Sequence, residues 1–411
     1  MLIIKPKLET SMTSQFEYSD LLEPDQARQF GLILDRCFGS PSGKGVEYID
    51  RVGYENFRVI EQAGQVAGGL AVLKMAQWFG GQCVPMAGIA GVGIAPEYRG
   101  SGAAIELLQA TLQELYDRGI PISMLYPATQ YLYRKVGYEQ AGVFCKWEIQ
   151  TSSIQIKERN LPIQPISLPS CDQGDQGFGE FDRIYRQQAK ITNGHLDRHP
   201  SIWREAIEPS SKDSINYAYL FGDRSNPSGY LIFSQPRSGN SYNIQIRDLV
   251  LLNAESIKRF WSLMADHRSQ ASKVQWRHSI VDFLTLTLAE QPAIITESIR
   301  WMLRIVDVVK ALELRGYPQG LETELHFEIA DDLLPPNHGK FVLNVANGKG
   351  EIIKGGKGEL KLHVRGLSPL YTGLFTPQQL QLTNHLEATE NALLTATKLF
   401  AGATPWTQDF F

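Results

Sequence analysis

Residues 98–109, "YRGSGAAIELLQ", place an arginine, two glycines and three small residues at the head of an amphipathic run. The start of a helix carries backbone N–H groups without intrahelical partners, together with the positive end of the helix dipole, so it attracts anions. Gly100 and Gly102 remove the side chains that would hold a phosphate off, and Arg99 adds a charge able to contact it. Immediately upstream, "MAGIAGVGIAPE" reads as a strand carrying Gly88, Gly91 and Gly93, followed by a turn at Pro96. The ligand predicted for this device is a pyrophosphate. It is not a P-loop, because no Gly-Lys-Ser/Thr follows, and the dinucleotide spacing GxGxxG is absent from the turn. A plain glycine-rich strand-to-helix turn is the bland alternative for the same six residues.

Several elements must position this loop. "LLEPDQARQFGLILDRCF" has helical spacing, and residues 57–96 read as a meander of strands broken by glycine turns. The helix opened by Arg99 to Ala104 carries Ile105, Leu107, Leu108, Leu112 and Leu115, "IPISMLY" is a short buried strand, and "QYLYRKVGY" is a short helix ending at Gly137. Residues 151–178, rich in Ser, Pro, Gln and Gly, read as a linker. Beyond them the pattern partly repeats: a helix at "FDRIYRQQAK", strands "NYAYLFGD", "SGYLIFSQ" and "YNIQIRDLVLL", a helix at "SIKRFWSLMADH" and a strand at "KVQWRH". Where Arg99 to Ala104 stood there is only "LLNAES", so this unit is a degenerate copy without the site. From about Trp301 a helix, "RIVDVVKALELR", leads into alternating strands and short helices, a third, α+β unit. The last residues, "TPWTQDFF", are too apolar for a solvated tail.

With 411 residues the chain is long enough for two or three domains. Its 40 Lys and Arg against 44 Asp and Glu leave a formal charge of −4, with no basic arm to follow a nucleic acid backbone. Cys37, Cys83, Cys145 and Cys171 form no CxxC and read as reduced thiols. The 8 histidines show no HExxH or other paired spacing, so no metal is expected, and His195 and His199 read as surface or helix-cap residues. The opening residues are too weakly apolar for a signal peptide or a membrane span, which predicts a cytoplasmic protein without a membrane partner, and Met12 is an alternative start.

The arrangement Arg-x-x-Gly-x-Ala after "VGIAP" resembles motif A of the GCN5-related N-acetyltransferases. "LYRKVGYEQAG" resembles a segment of the Eis-like branch, multi-acetylating enzymes named for enhanced intracellular survival. The resemblance covers nearly the whole chain and is sharpest at residues 86–142 and the last residue. It implies tandem GNAT-like mixed α/β sheets flanked by helices, plus a C-terminal α+β domain similar to sterol carrier proteins. The expected division is a catalytic acetyl-CoA-binding domain over residues 1–155, a degenerate copy over 156–298, and a sterol-carrier-protein-like domain over 299–411. Acetyl-CoA is the implied co-substrate, its pyrophosphate on the loop Arg99–Ala104 and its pantetheine arm beside Val92, Gly93 and Ile94, where the strand splays from "ISMLYPAT". The Eis-like pattern usually carries two consecutive arginines in the loop. Here the second is Gly100, so phosphate affinity rests more heavily on Arg99.

Acetyl transfer needs a deprotonated amine, a polarised thioester carbonyl and a proton for the departing thiolate. The resemblance assigns the proton to Tyr133, the polarisation to strand N–H groups near Val92 and Ile94, and the base to the terminal carboxylate of Phe411. A free α-carboxyl titrates near pH ~3.5, so burial has to raise it, or it acts through a water. The expected acceptors are polyamine, aminoglycoside or lysine-like amines, and the expected assembly is a homo-oligomer, a hexamer by resemblance. The competing expectation is a lipid or hydrophobe carrier whose N-terminal domain senses acyl-CoA, which requires an apolar tunnel in the third unit.

Overall fold

A computed structural model describes residues 15–169, 178–209 and 214–411. The chain divides into two units, residues 1–72 with 91–111 and residues 73–90 with 112–411; the strands Gln65–Phe79 and Gln82–Ile94 and the helix Ala103–Asp117 each contribute to both. In the first unit the strand Glu17–Asp20 pairs with Phe57–Gln62, which pairs in turn with the start of Gln65–Phe79, all antiparallel. Two helices, Pro24–Phe38 and Lys44–Val52, follow the spacing of their apolar residues, and Phe30, Ile33, Leu34, Ile49 and Val52 are buried. Pro24 opens the first helix where its missing N–H costs nothing, and Gly39 closes it in the left-handed conformation.

The second unit is built on one long sheet. Met86–Ile89 run parallel to the strand Ile122–Leu125, which is flanked in turn by Ile294–Ile305, Glu139–Gln150, Ala271–His278, Ser241–Leu251, Asn226–Ser234, Asn216–Asp223 and Ile163–Pro165. The strand Ile294–Ile305, far along the chain, lies antiparallel between Ile122–Leu125 and Glu139–Gln150. A separate five-stranded sheet, ordered Lys349–Lys354, Gly339–Ala346, Thr323–Ala330, Leu360–His363, Leu386–Ala388, buries one face by strict alternation: Leu325, Phe327 and Ile329 point inward. Both sheets feed a single core, in which Phe79, Met86, Met124 and Trp301 belong to the same cluster as Phe327, Leu343, Tyr371 and Leu399.

Three sequence expectations change. "RIVDVVKALELR" is the end of a strand, a turn at Asp307, and a helix from Val308 to Leu314, because Ile305 completes a sheet rather than a helix face. The segment expected as a linker contains Ile163–Pro165, hydrogen-bonded to Tyr219–Phe221; residues 170–177, with Cys171, lie outside the described residues, as does Met12. His195 is fully buried, stacked on Tyr185, whereas His199 does cap the helix Pro200–Ile207. Among the described residues Cys37, Cys83 and Cys145 are free thiols, no group of His, Cys, Asp and Glu has metal-ligand geometry, and no helix is long and apolar enough to cross a membrane.

Candidate active site

The loop Arg99–Ala104 lies in the first unit. Parallel pairing of the strand Gln82–Ile94 runs from Met86↔Ile122 to Ile89↔Leu125. Gly91 then adopts φ 57°, a left-handed kink that a side chain would resist, and Val92 and Ile94 are only half-buried. Gly100 (φ 81°) and Gly102 (φ 96°) repeat that conformation on either side of Ser101, with open space where a Cβ would stand. Ser101 Oγ donates to the Tyr98 carbonyl at 2.7 Å and accepts from the Ala103 N–H at 3.4 Å, while the N–H groups of Ile105 and Glu106 turn back to the Gly102 carbonyl. The N–H groups of Gly100, Gly102 and Ala104 have no partner among the described residues. Arg99 is exposed and donates only long contacts, 3.4 Å to the Ile94 carbonyl and 3.5 Å to Cys37 Sγ, so it is free to turn to a better acceptor. Three unspent donors, a guanidinium and a helix start in six residues make an anion cradle.

Tyr133 and Phe411 lie in the second unit. Tyr133 sits on the short helix Gln130–Arg134, 5% exposed, its ring edge-on to Tyr138 at 6.1 Å. Burial pushes its phenol up to about 12, and its hydroxyl has no hydrogen-bond partner among the described residues. The turn after it is held from below by Arg304, whose Nε donates to the Val136 carbonyl at 3.0 Å and whose Nη2 is paired with buried Asp331 at 2.7 Å. A Cβ on Gly137 would sit 2.6 Å from Arg304 Nε, so this turn needs glycine.

The C-terminal residues form a strap anchored at every residue from 405 to 409. The Val143 N–H donates to the Pro405 carbonyl, the Trp406 N–H to the Asn193 carbonyl, and the Thr407 N–H to the Val143 carbonyl. Trp406 packs against two buried imidazoles, edge-on to His195 at 4.5 Å and tilted on His278 at 4.3 Å. Arg277 Nη1 donates to the Gln408 carbonyl at 3.0 Å, and Tyr126 Oη to the Asp409 carbonyl at 2.7 Å. Arg198 is the centre of the anchor. Its guanidinium makes a two-pronged pair with Asp248 at 2.7 and 2.9 Å, reaches Asp409 at 2.8 Å, and lies over the rings of Tyr185 and Trp203. Tyr230 Oη and Gln408 Nε2 complete the shell of Asp248. Burial pushes the Asp409 carboxyl up, against the pull of Arg198. Phe410 lies on Tyr126 at 4.4 Å, and the Phe411 ring fills the space over Gly88, where a Cβ would meet it at 2.8 Å. The carboxylate of Phe411 has neither an ion pair nor a hydrogen bond among the described residues.

The expected residues thus fall into two groups: Val92, Gly93, Ile94 and Arg99 to Ala104 in the first unit, Tyr133 and Phe411 in the second. The reading missed Arg198, Asp248, Arg277, Tyr126 and Arg304, which position Tyr133 and the terminus. A lone buried arginine has no sequence signature. Only the apolar ending "TPWTQDFF" signalled that something must hold the tail.

A crystal structure of a GCN5-related N-acetyltransferase from Anabaena variabilis ATCC 29413 is 55% identical to this chain, covering 96% of it and 100% of that chain with a TM-score of 0.92. The chain belongs to the GCN5-related N-acetyltransferases. Within that family its order of domains is the Eis-like one: residues 20–141 and 194–305 each match an acetyltransferase (GNAT) domain, and residues 308–408 match a sterol carrier protein domain. The N-acetyltransferase Eis of Mycobacterium tuberculosis (strain ATCC 25177 / H37Ra) is 22% identical over 339 residues, 76% of each protein. A GCN5-related N-acetyltransferase from Kribbella flavida is 27% identical, with a TM-score of 0.83 over 98% of this chain and 100% of that one. This acetyltransferase therefore has the mixed tandem sheets and the C-terminal α+β domain that the resemblance implied. Under the sterol-carrier-like sheet a cavity lined by Leu312, Phe327, Leu343, Leu370 and Phe400 measures about 10 Å³, the space of a single water.

Proposed function

We propose that this acetyltransferase moves the acetyl group of acetyl-CoA to a primary amine of a polyamine, an aminoglycoside-like molecule or a lysine-containing acceptor by direct attack. The N–H groups of Gly100, Gly102 and Ala104, with Arg99, bind the pyrophosphate; Ser101 and Ala103 shape the loop; and the backbone of Val92, Gly93 and Ile94 takes the pantetheine arm and polarises the thioester carbonyl. The amine nitrogen forms its bond to the carbonyl carbon, the carbon–sulfur bond breaks, and Tyr133 gives its phenolic proton to the sulfur. A phenol raised to about 12 stays protonated at neutral pH, so Tyr133 still carries its proton when the thiolate forms. The carboxylate of Phe411 takes the amine's proton, directly or through a water.

The observation that carries this reading is the unpaired terminal carboxylate on a strap fixed at every residue from 405 to 409. A terminus without a task frays; here a buried Arg–Asp network is devoted to holding one. The domain assignment follows as residues 1–155 for catalysis, 156–298 for the degenerate copy, and 299–411 for the domain that supplies the terminus. We place the enzyme in the cytoplasm as a homo-oligomer, a hexamer by family likeness, which light scattering checks. The carrier alternative is tested by mass spectrometry of the purified chain, where a co-purified lipid would support it. The deciding experiment incubates the purified chain with acetyl-CoA and a panel of amines. Free CoA released only when an amine is present supports the proposal; release indifferent to amines refutes it.

A further inference from the structure

The second acetyltransferase-like domain, matched over residues 194–305, contains a strand fork of its own. Its strands Ser241–Leu251 and Ala271–His278 run parallel, with Gln245↔Gln275 as the last paired residues, and both continue beyond that pair. Two strands that part leave main-chain donors and acceptors to be satisfied from elsewhere. Residues 405–409 reach into this fork. Gln408 spans it: its side-chain Nε2 donates to Asp248 Oδ1 on one strand at 2.6 Å, and its main-chain carbonyl accepts from Arg277 Nη1 on the other at 3.0 Å. Trp406 lies on His278, the last residue of the second strand, at 4.3 Å. That strand pairs with Glu139–Gln150 as far as His278↔Cys145, and beyond that point the segment takes over. Trp406 bridges Val143 in parallel, the Val143 N–H donating to the Pro405 carbonyl at 3.0 Å and the Thr407 N–H to the Val143 carbonyl at 3.3 Å. Asp409 closes the set on Arg198 at 2.8 Å. Thr407, Gln408 and Asp409 are at most 5% exposed, whereas residues 401–403, which lead into the segment, are exposed. A buried segment on an exposed tether, joined to a sheet by its main chain and selected through its side chains, has the geometry of peptide recognition by strand addition.

We propose that the fork of the second domain is a peptide-binding site, and that its ligand is the chain's own segment, residues 406–409. The second domain thereby holds an amide-bearing chain between its parting strands, in the place that the first domain is proposed to give the pantetheine arm. The inference concerns binding and is independent of the role given to Phe411. Its test uses the full chain with a protease recognition sequence inserted at residues 401–403, folded intact and then cut, so that residues 404–411 are held by contacts alone. The fragment should co-elute with the rest of the protein in gel filtration, one per chain by mass spectrometry. A labelled synthetic peptide of residues 404–411 should exchange into the cut protein to the same limit, and a scrambled peptide of the same composition should not. Gln408→Ala removes a hydrogen bond to a charged group and should speed loss of the fragment at least roughly tenfold. If the insert misfolds, the uncut chain decides: there Gln408→Ala should speed deuterium exchange of the Thr407 N–H severalfold. Loss of the wild-type fragment on cutting, equal uptake of the scrambled peptide, or a Gln408→Ala protein that holds the segment as long as the wild type overturns the proposal.

Discussion

Appending one glycine after Phe411 changes almost nothing in this molecule except the position of one charge. The last anchored atom of the strap is the Asp409 carbonyl, held by Tyr126 Oη at 2.7 Å, and the Phe411 ring stays over Gly88 whatever follows it. An extra residue carries the carboxylate about 3.3–3.6 Å further along the chain. That exceeds the whole window of about 2.6–3.2 Å in which a base can take a proton directly. Loss of a positioned base typically costs roughly 10²–10⁴ in rate, about 3–5.5 kcal/mol of barrier, and a water standing in for the missing oxygen recovers part of it. The expected result is a fall in kcat of at least about tenfold, followed as CoA release with saturating amine. The melting temperature and CoA affinity should not move, because the carboxylate makes no ion pair or hydrogen bond whose loss could matter. Phe411→Leu keeps the carboxylate in place and should do much less harm. An extended chain that acetylates as fast as the native one refutes the reasoning and leaves Phe411 as packing.

Arg99→Ala should weaken CoA by about 1.5–3 kcal/mol, the value of hydrogen bonds to a charged group, with calorimetry giving one CoA per chain in the wild type; two equal sites would mean the second copy is not degenerate. Tyr133→Phe keeps the ring against Tyr138 and should cost roughly 10²–10⁴ in kcat with CoA affinity intact, and because burial raises the phenol to about 12, the wild type should show no alkaline loss of this donor near pH 10. Arg198→Met leaves Asp248 and Asp409 as buried, unpaired charges and should destabilise by about 3–5 kcal/mol in urea unfolding, part of which Asp409→Asn in the same background should restore. His278 is kept neutral by burial, its imidazole lowered to about 3 although Nδ1 lies 3.2 Å from Asp282 Oδ1. Its contribution to stability is therefore complete above its unfolded value of 6.5 and is lost as pH falls toward 3, by up to about 1.4 kcal/mol per pH unit. Asp282, raised to about 6 by burial, works in the opposite direction between 6 and 3.8, so the decline should be steeper in Asp282→Asn and shallower in His278→Gln.

Local signals were legible wherever one side of an element meets water. "NYAYLFGD" is the strand Asn216–Asp223 to the residue, and "SIKRFWSLMADH" falls on the helix Ala254–Asp266, because periodicity of two or of 3.6 reports which face is buried. The anion loop was legible for a different reason: the left-handed conformations of Gly100 and Gly102 demand glycine, and that demand is written in the chain. Pairing partners far apart in sequence were not. Arg198 meets Asp248 and Asp409 across 50 and 211 residues, and nothing local to any of the three distinguishes it from a solvated charge. His195 failed similarly, since an imidazole buried against Tyr185 and Trp406 owes its place to rings distant in sequence. The strand Ile294–Ile305 was missed because its first half is exposed and only its second half, Trp301 to Ile305, is apolar enough to read.

That strand also bears on how the molecule is made. Ile122–Leu125 and Glu139–Gln150 leave the ribosome early, but the strand that joins them lies at Ile294–Ile305. At about 5–20 residues per second, the nascent chain waits roughly 10–30 s with two strand edges open. Such edges are templates for the wrong partner, another nascent chain on the same message included. Slow translation, heat or a shortage of holdase chaperones should therefore show first as aggregation during synthesis, before any change in the finished enzyme. A gene fragment stopped before codon 294 encodes a sheet with a strand missing from its middle, so a soluble acetyltransferase half would have to supply that strand from elsewhere.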